Sequence, residues 1–197
     1  LARPLPVGGD GTVSSVEAYF ADEYERARNA EPLRTVRESV WRPAYQAVER
    51  HDLDPELLAA QVQASRHLQG SVRFRTASEL EDFARQWAIP HARLLASLAG
   101  VDYGWMVKRV DELARGFFFL ARFLTLPHDV KQGQLFIPVT DLKQNDVQLS
   151  ELRDGDVSEG VRRVLWKHSI RIRDALGQGE PILKDLGLRR RLTLKRW

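Results

Sequence analysis

Apolar positions along the chain recur mostly at spacings of three and four residues, the period of an amphipathic helix. Val16, Tyr19, Phe20 and Tyr24 follow Ser14 and Glu17, whose spacing is that of a capping box, and predict a first helix. Val36, Val40, Tyr45 and Val48 form a looser stripe in the Arg- and Glu-rich stretch 33–50, which Pro43 is expected to kink. Asp54 and Pro55 suit the N-cap and first position of a helix carrying Leu57, Leu58 and Val62. Ser78 with Glu81 predicts the start of another helix, with Leu80, Phe83, Trp87, Leu94, Leu95 and Leu98 on it. Pro90 is expected to interrupt that helix and Gly100 to end it. Leu113, Phe117, Leu120 and Leu124 give a stripe between residues 103 and 126. Val161, Val164, Leu165, His168, Ile172 and Leu176 give one more. Only Leu135-Phe136-Ile137 looks extended. The pattern predicts an all-α fold. Helices near 77–99, 103–126 and 158–176 should pack in a single domain over residues 16–197, after a flexible segment 1–15.

Composition narrows the class without changing that picture. The chain has 197 residues, 43% hydrophobic and 29% charged, as expected of a folded domain with one core. It has no cysteine, which excludes disulfides, thiol nucleophiles, zinc fingers and iron–sulfur clusters. No run approaches the roughly eighteen apolar residues of a membrane span, and no signal peptide is apparent. A cytoplasmic location, or a peripheral one at a membrane surface, is the expectation. The first residue is Leu1 and the single methionine is Met106, so the chain is read as a fragment. Charge is uneven: the last 37 residues carry a balance of +8 and the first 160 a balance of −5. That basic end suits phosphates, anionic lipid or nucleic acid, or is simply a solvated helix face.

Sequence motifs for chemistry are mostly absent. Gly8-Gly9-Asp10-Gly11 lacks the strand and the Lys-Ser/Thr of a phosphate loop and reads as a terminal loop. The five histidines (51, 67, 91, 128 and 168) are too scattered to suggest a metal site, and His168, on an apolar stripe, reads as a satisfied core histidine. No serine sits in a nucleophile elbow. Two acids four apart in a helix can share a magnesium ion on a diphosphate. The chain has no such pair in a helix interior: Asp52 and Glu56 straddle a helix start and suit capping.

Three blocks nevertheless resemble one family. "GQLFIPVTDLKQNDV" (Gly133 to Val147) resembles the "GR-x-Y-L-P-x-x-D-L-x-x-x-G-V" segment of squalene/phytoene synthases. "FRTASELEDFARQWAIPHARLLASLAG" (Phe74 to Gly100) is similar to the family's "Y-x-T-x-x-E-L" helix, most of all in the bacterial hopanoid branch. "DALGQGEPILKDLGLRRRLTLKRW" (Asp174 to Trp197) resembles its "G-x-P-L-L" turn and last helix. The resemblance covers residues 33–197 and implies a single helical bundle of the isoprenoid synthase type, with the helices near 77–99, 103–126 and 158–176 around a central cavity, incomplete at both ends. It also implies head-to-head joining of prenyl diphosphates with magnesium.

The departures bear on that activity. The resemblance places a D-x-x-x-D pair at Thr125 and Asp129, so one acid remains as the candidate metal ligand. Pro127 should also disturb the helix that would align the pair. The family's arginine is Gln134 and its tyrosine Phe136, and other polar positions fall on Ala121, Phe118 and Leu68. The first acid motif belongs on a helix ahead of residue 16. An apolar pocket lined by Thr125, Phe118, Ala121, Phe136 and Leu68 is therefore expected. Arg122, Thr125, Lys131 and Phe136 are its candidate ligand-binding residues. Asp129, with Arg122 and Lys131 near enough to neutralise it, is either a relic of the metal site or a cap near Pro127.

Three functions follow. The first is a catalytically degenerate member that binds an isoprenoid or a prenyl diphosphate, or serves a helical protein partner as an assembly scaffold. The second is an active prenyl transferase, dependent on magnesium, whose first acid motif lies outside the chain. The third is nucleic-acid binding through Arg189, Arg190, Arg191, Lys195 and Arg196, which lacks any docking element beyond charge and is not expected.

Overall fold

The computed structural model describes residues 38–68, 71–101 and 104–182, together with residues 22, 25, 26 and 29. Asp22, Glu25 and Arg26 are helical. The rest of the predicted first helix, the segment 1–15 and the arginines after residue 182 lie outside the described residues.

Asp54 and Pro55 act as the sequence predicts. Helix α1 (Glu38–His51) ends just ahead of them, and α2 (Pro55–Ser65) starts with the Asp54 carboxylate accepting from the Glu56 N–H at 2.9 Å. Val48, Leu53 and Leu94 close the contact of these helices with α3 (Ala77–Leu98). Here the sequence reading needs two corrections. The N-cap is Thr76, two residues before Ser78: its hydroxyl accepts from Glu79 N–H at 3.2 Å, while the Glu79 carboxylate accepts from Arg75 N–H at 2.7 Å. Nor does Pro90 interrupt α3, which is continuous for 22 residues. A proline forfeits one ladder hydrogen bond, and packing on both sides of it outweighs that loss: Leu80 and Phe83 are buried ahead of it and Leu94 after it. Gly100 does end the unit. Its φ of +67° lets its N–H reach Ser97 O at 2.8 Å while Val101 N–H reaches Ala96 O at 2.9 Å, a Schellman ending.

Helix α4 (Gly104–Leu124) packs between α3 and α8 (Glu159–Gly179). Its buried face is Met106, Val110, Ala114, Gly116, Phe118 and Phe119. The expected stripe is therefore corrected: Phe117 and Leu124 point outward, 59% and 72% exposed. After Thr125 the chain turns into α5 (Leu126–Lys131). Two short strands, β1 (Val72–Arg73) and β2 (Gln134–Leu135), then pair in parallel, Val72 opposite Gln134. β2 accounts for part of the extended run 135–137, whereas β1 has no sequence signal. This clasp carries Phe136 onto Phe74, Phe83 and Phe118, with ring centroids 6.1, 6.3 and 5.8 Å apart. Helices α6 (Val139–Gln144) and α7 (Leu149–Asp154) complete the second core, around Leu135, Ile137, Leu142, Val161 and Val164.

The start of α8 is fitted closely to the end of α6. A methyl group added at Gly160 would collide with the backbone carbonyl of Asn145, which no side-chain rotation relieves, whereas one added at Gly177 meets nothing within 4 Å. Gly160→Ala should lower stability by about 1–3 kcal/mol. Gly177→Ala should leave it unchanged or raise it by up to about 1 kcal/mol. Thermal melts of the two variants check the contrast.

Candidate functional site

The end of α4, the turn at Thr125 and the start of α5 bring three predicted site residues together. Thr125 leaves the helix with φ −100° and ψ 7°, and Pro127 opens α5. Asp129, one turn on, is almost fully buried. Its Oδ2 accepts from the Thr125 hydroxyl at 2.7 Å, and the Arg122 Nη1 lies 3.4 and 3.5 Å from its two oxygens. These bonds run to side chains rather than to backbone N–H groups, so Asp129 is an ion-pair partner and not a cap. The Arg122 guanidinium also stands over the Phe136 ring, 5.1 Å from its centroid. Lys131 is exposed and its charge is felt at Asp154.

The expected apolar lining assembles only in part. Phe118 and Phe136 are buried in one cluster with Leu68 packed against it, whereas Ala121 and Thr125 are exposed. Among the described residues, the cavity bordered by Arg122, Phe136, Phe119 and His168 measures about 20 Å³. That is room for roughly one water molecule.

A second buried carboxylate escaped the sequence reading. Asp141, on α6, accepts from Lys167 Nζ of α8 at 2.7 Å and lies 3.3 Å from His168 Nε2. The latter approach misses hydrogen-bond geometry, so Asp141 Oδ2 and His168 Nε2 are buried without a partner. His168 is thus buried as expected but is not satisfied. Burial, reinforced by the Arg171 charge and opposed by Asp141, pushes its pKa down from 6.5 to about 4. Asp141 stands in the quoted block, but no spacing rule links it to residues 26 and 27 positions further on.

The acids do not fit a magnesium ion. Such an ion takes a near-octahedral set of oxygens. Asp129 offers oxygens already bonded to a hydroxyl and facing a guanidinium, whose charge repels a metal. Among the described residues no three His, Asp or Glu side chains converge where a metal could be held.

With this geometry in view, the sequence profile of squalene/phytoene synthases matches residues 11–195. The chain belongs to the squalene/phytoene synthase family. Its fold is similar to that of the squalene synthase HpnC from Alicyclobacillus acidocaldarius, with a TM-score of 0.79 and 22% identity. The match covers 97% of this chain and 71% of that one. No curated protein matches significantly. Membership confirms the all-helical fold that the three blocks implied. No helix among the described residues is long and apolar enough to cross a membrane.

Two outcomes are expected at these carboxylates. Arg122→Leu should lower stability by about 2–3 kcal/mol, because it leaves Asp129 buried without its counter-charge. Adding Asp129→Leu in the same chain should restore much of the loss, as chemical denaturation of the single and double variants would read. For His168 the folded pKa lies below the unfolded one, so the unfolded chain takes the proton first. Stability should then fall as pH drops from about 6.5 to about 4, by on the order of 3 kcal/mol, and level off below that. In His168→Gln that pH slope should be absent from denaturation midpoints.

Proposed function

We propose that this chain is a catalytically degenerate member of its family, serving as an assembly or scaffold subunit rather than as a prenyl transferase. The observation that supports this reading is the closed trio of Asp129, Arg122 and Thr125. Ionisation of an allylic diphosphate needs cations held against the leaving group, a large part of the transition-state stabilisation. Here the one acid at that position is already neutralised by a side chain. Arg122 is likewise engaged, and Gln134 and Phe136 supply neither a cation nor a hydroxyl.

Enclosure of an isoprenoid is also less well supported than a scaffold role. Buried ligand sites for molecules of that size run to several hundred Å³, whereas the cavity beside Arg122 holds about 20 Å³ and the larger space of about 530 Å³ between α4 and α8 is a groove open to solvent. The ligand side of the reading therefore narrows to contacts on the protein's outside.

The test is direct. Incubated with farnesyl or geranylgeranyl diphosphate and magnesium, the chain should release no diphosphate and form no head-to-head product above a control without protein. Squalene, hydroxysqualene or phytoene above that control would overturn the reading in favour of an active transferase.

A further inference from the structure

The outer side of α8 carries a knob and a hollow on one line. Arg162, Trp166, Ser169, Arg173, Gly177 and Glu180 recur at three and four residues, so they share one side of the helix, which Glu180 extends with φ −49° and ψ −40°. Trp166 is the knob, 67% exposed. The hollow is the open groove of about 530 Å³ along the C-terminal half of this stripe, walled by Leu120 and Phe123 of α4 and by Ile172 and Leu176 of α8. Gly177 lines it too, and a methyl group added there would meet nothing within 4 Å. The face is close to neutral: Arg173 lies 3.7 Å from Asp174, and Lys167 is held by the buried Asp141. Arg162 and Glu180, at opposite ends of the stripe, are exposed and have no ion-pair partner among the described residues.

We propose that this face binds a second copy of the chain, with α8 packed antiparallel on the partner's α8 across a two-fold axis. Three pairings between one protomer and its partner share that axis: Arg162 with Glu180, Trp166 with Gly177, and Ser169 with Arg173. The midpoint of each falls within one residue of Arg171, so a single axis serves all three. A two-fold interface needs such a surface, complementary to itself. The Trp166 ring enters the partner's groove where Gly177 leaves room, and a large aromatic anchor in a hollow is the contact that dominates many interfaces. Opposite charges meet at both ends, where Arg162 and Glu180 otherwise face only water. The Ser169 hydroxyl donates to the Trp166 carbonyl at 2.8 Å and keeps lone pairs to accept from the partner's Arg173. An unrelated protein would have to match both the knob and the hollow, whereas a second copy supplies both by symmetry. The proposal uses the outer side of α8 and its groove with α4, and does not depend on the reading of Asp129.

Sedimentation velocity over a range of concentrations decides it. The chain should pass from monomer to dimer across the micromolar range. Trp166→Ala should weaken the dimer about tenfold or more, and Gly177→Leu, which fills the hollow, by a similar factor. Arg162→Glu and Glu180→Arg should each be monomeric where the unaltered chain is dimeric, because like charges then face each other at both ends. Mixing these two variants should restore a dimer, since only the mixed species matches opposite charges at both ends. These positions are exposed, so circular dichroism should show every variant folded as the unaltered chain is. A monomer at every concentration would overturn the proposal. So would a dimer that survives the substitutions, or two charge variants that stay monomeric when mixed.

Discussion

Helix α4 has to satisfy two neighbours at once, and the rest of the structure is arranged around that demand. It packs on α3 along one side and on α8 along another. A helix covered on two sides cannot show a single narrow apolar stripe, because its buried arc is wide. The arc instead combines Gly116, where an added methyl group would collide with Leu176 of α8, and Ala114 with the large rings of Phe118 and Phe119. Those rings join Phe74, Phe83 and Phe136 in one aromatic cluster, with Phe83 and Phe118 edge to face at 5.8 Å. The clasp between β1 and β2 holds Phe136 in that cluster. It thereby sets the ring over which Arg122 lies.

This double contact explains which parts of the fold were legible in the sequence. The long helices were legible, since they carry three- and four-residue spacing, whereas α5, α6 and α7, six residues each, are too short for a period to register. Local punctuation was legible where one residue acts alone, as at Asp54-Pro55 and Gly100. The face of α4 was not: with apolar residues on almost every side, the four-residue series through Phe117 and Leu124 looks as convincing as the series that is buried. Pro90 misled for a related reason. A local rule predicts a break, but the packing of α3 on both sides of the proline spans it. Strand β1, two residues long, is too short for alternation to register. Its existence follows from tertiary closure with β2 and not from its own composition.

The carboxylates show a different limit. Asp129 was legible because it falls at a position that the family resemblance marks, and the approach of Arg122 followed from helical spacing. Whether that acid stands open to a metal or closed by a guanidinium depends on how the chain turns at Thr125. The turn lets the Thr125 hydroxyl donate back to Asp129 while Arg122 reaches from one turn earlier. Asp141 was invisible because its partners sit on another helix. Only the packing of α6 on α8 brings Lys167 and His168 to it.

The two buried acids then share one logic. Each carries a cation supplied from a long helix: Arg122 of α4 for Asp129, and Lys167 of α8 for Asp141. A buried carboxylate without such a partner would cost several kcal/mol, so these pairings are conditions of folding rather than additions to it. In a metal-binding site the same acids would be left underneutralised, and the cost of that state would be offset when the cation arrives. Here the offset is internal and permanent. A charge that has been balanced from within has little left with which to hold magnesium against a diphosphate. The same pairings that let both acids stay buried thus carry the proposal that the chain is not a transferase.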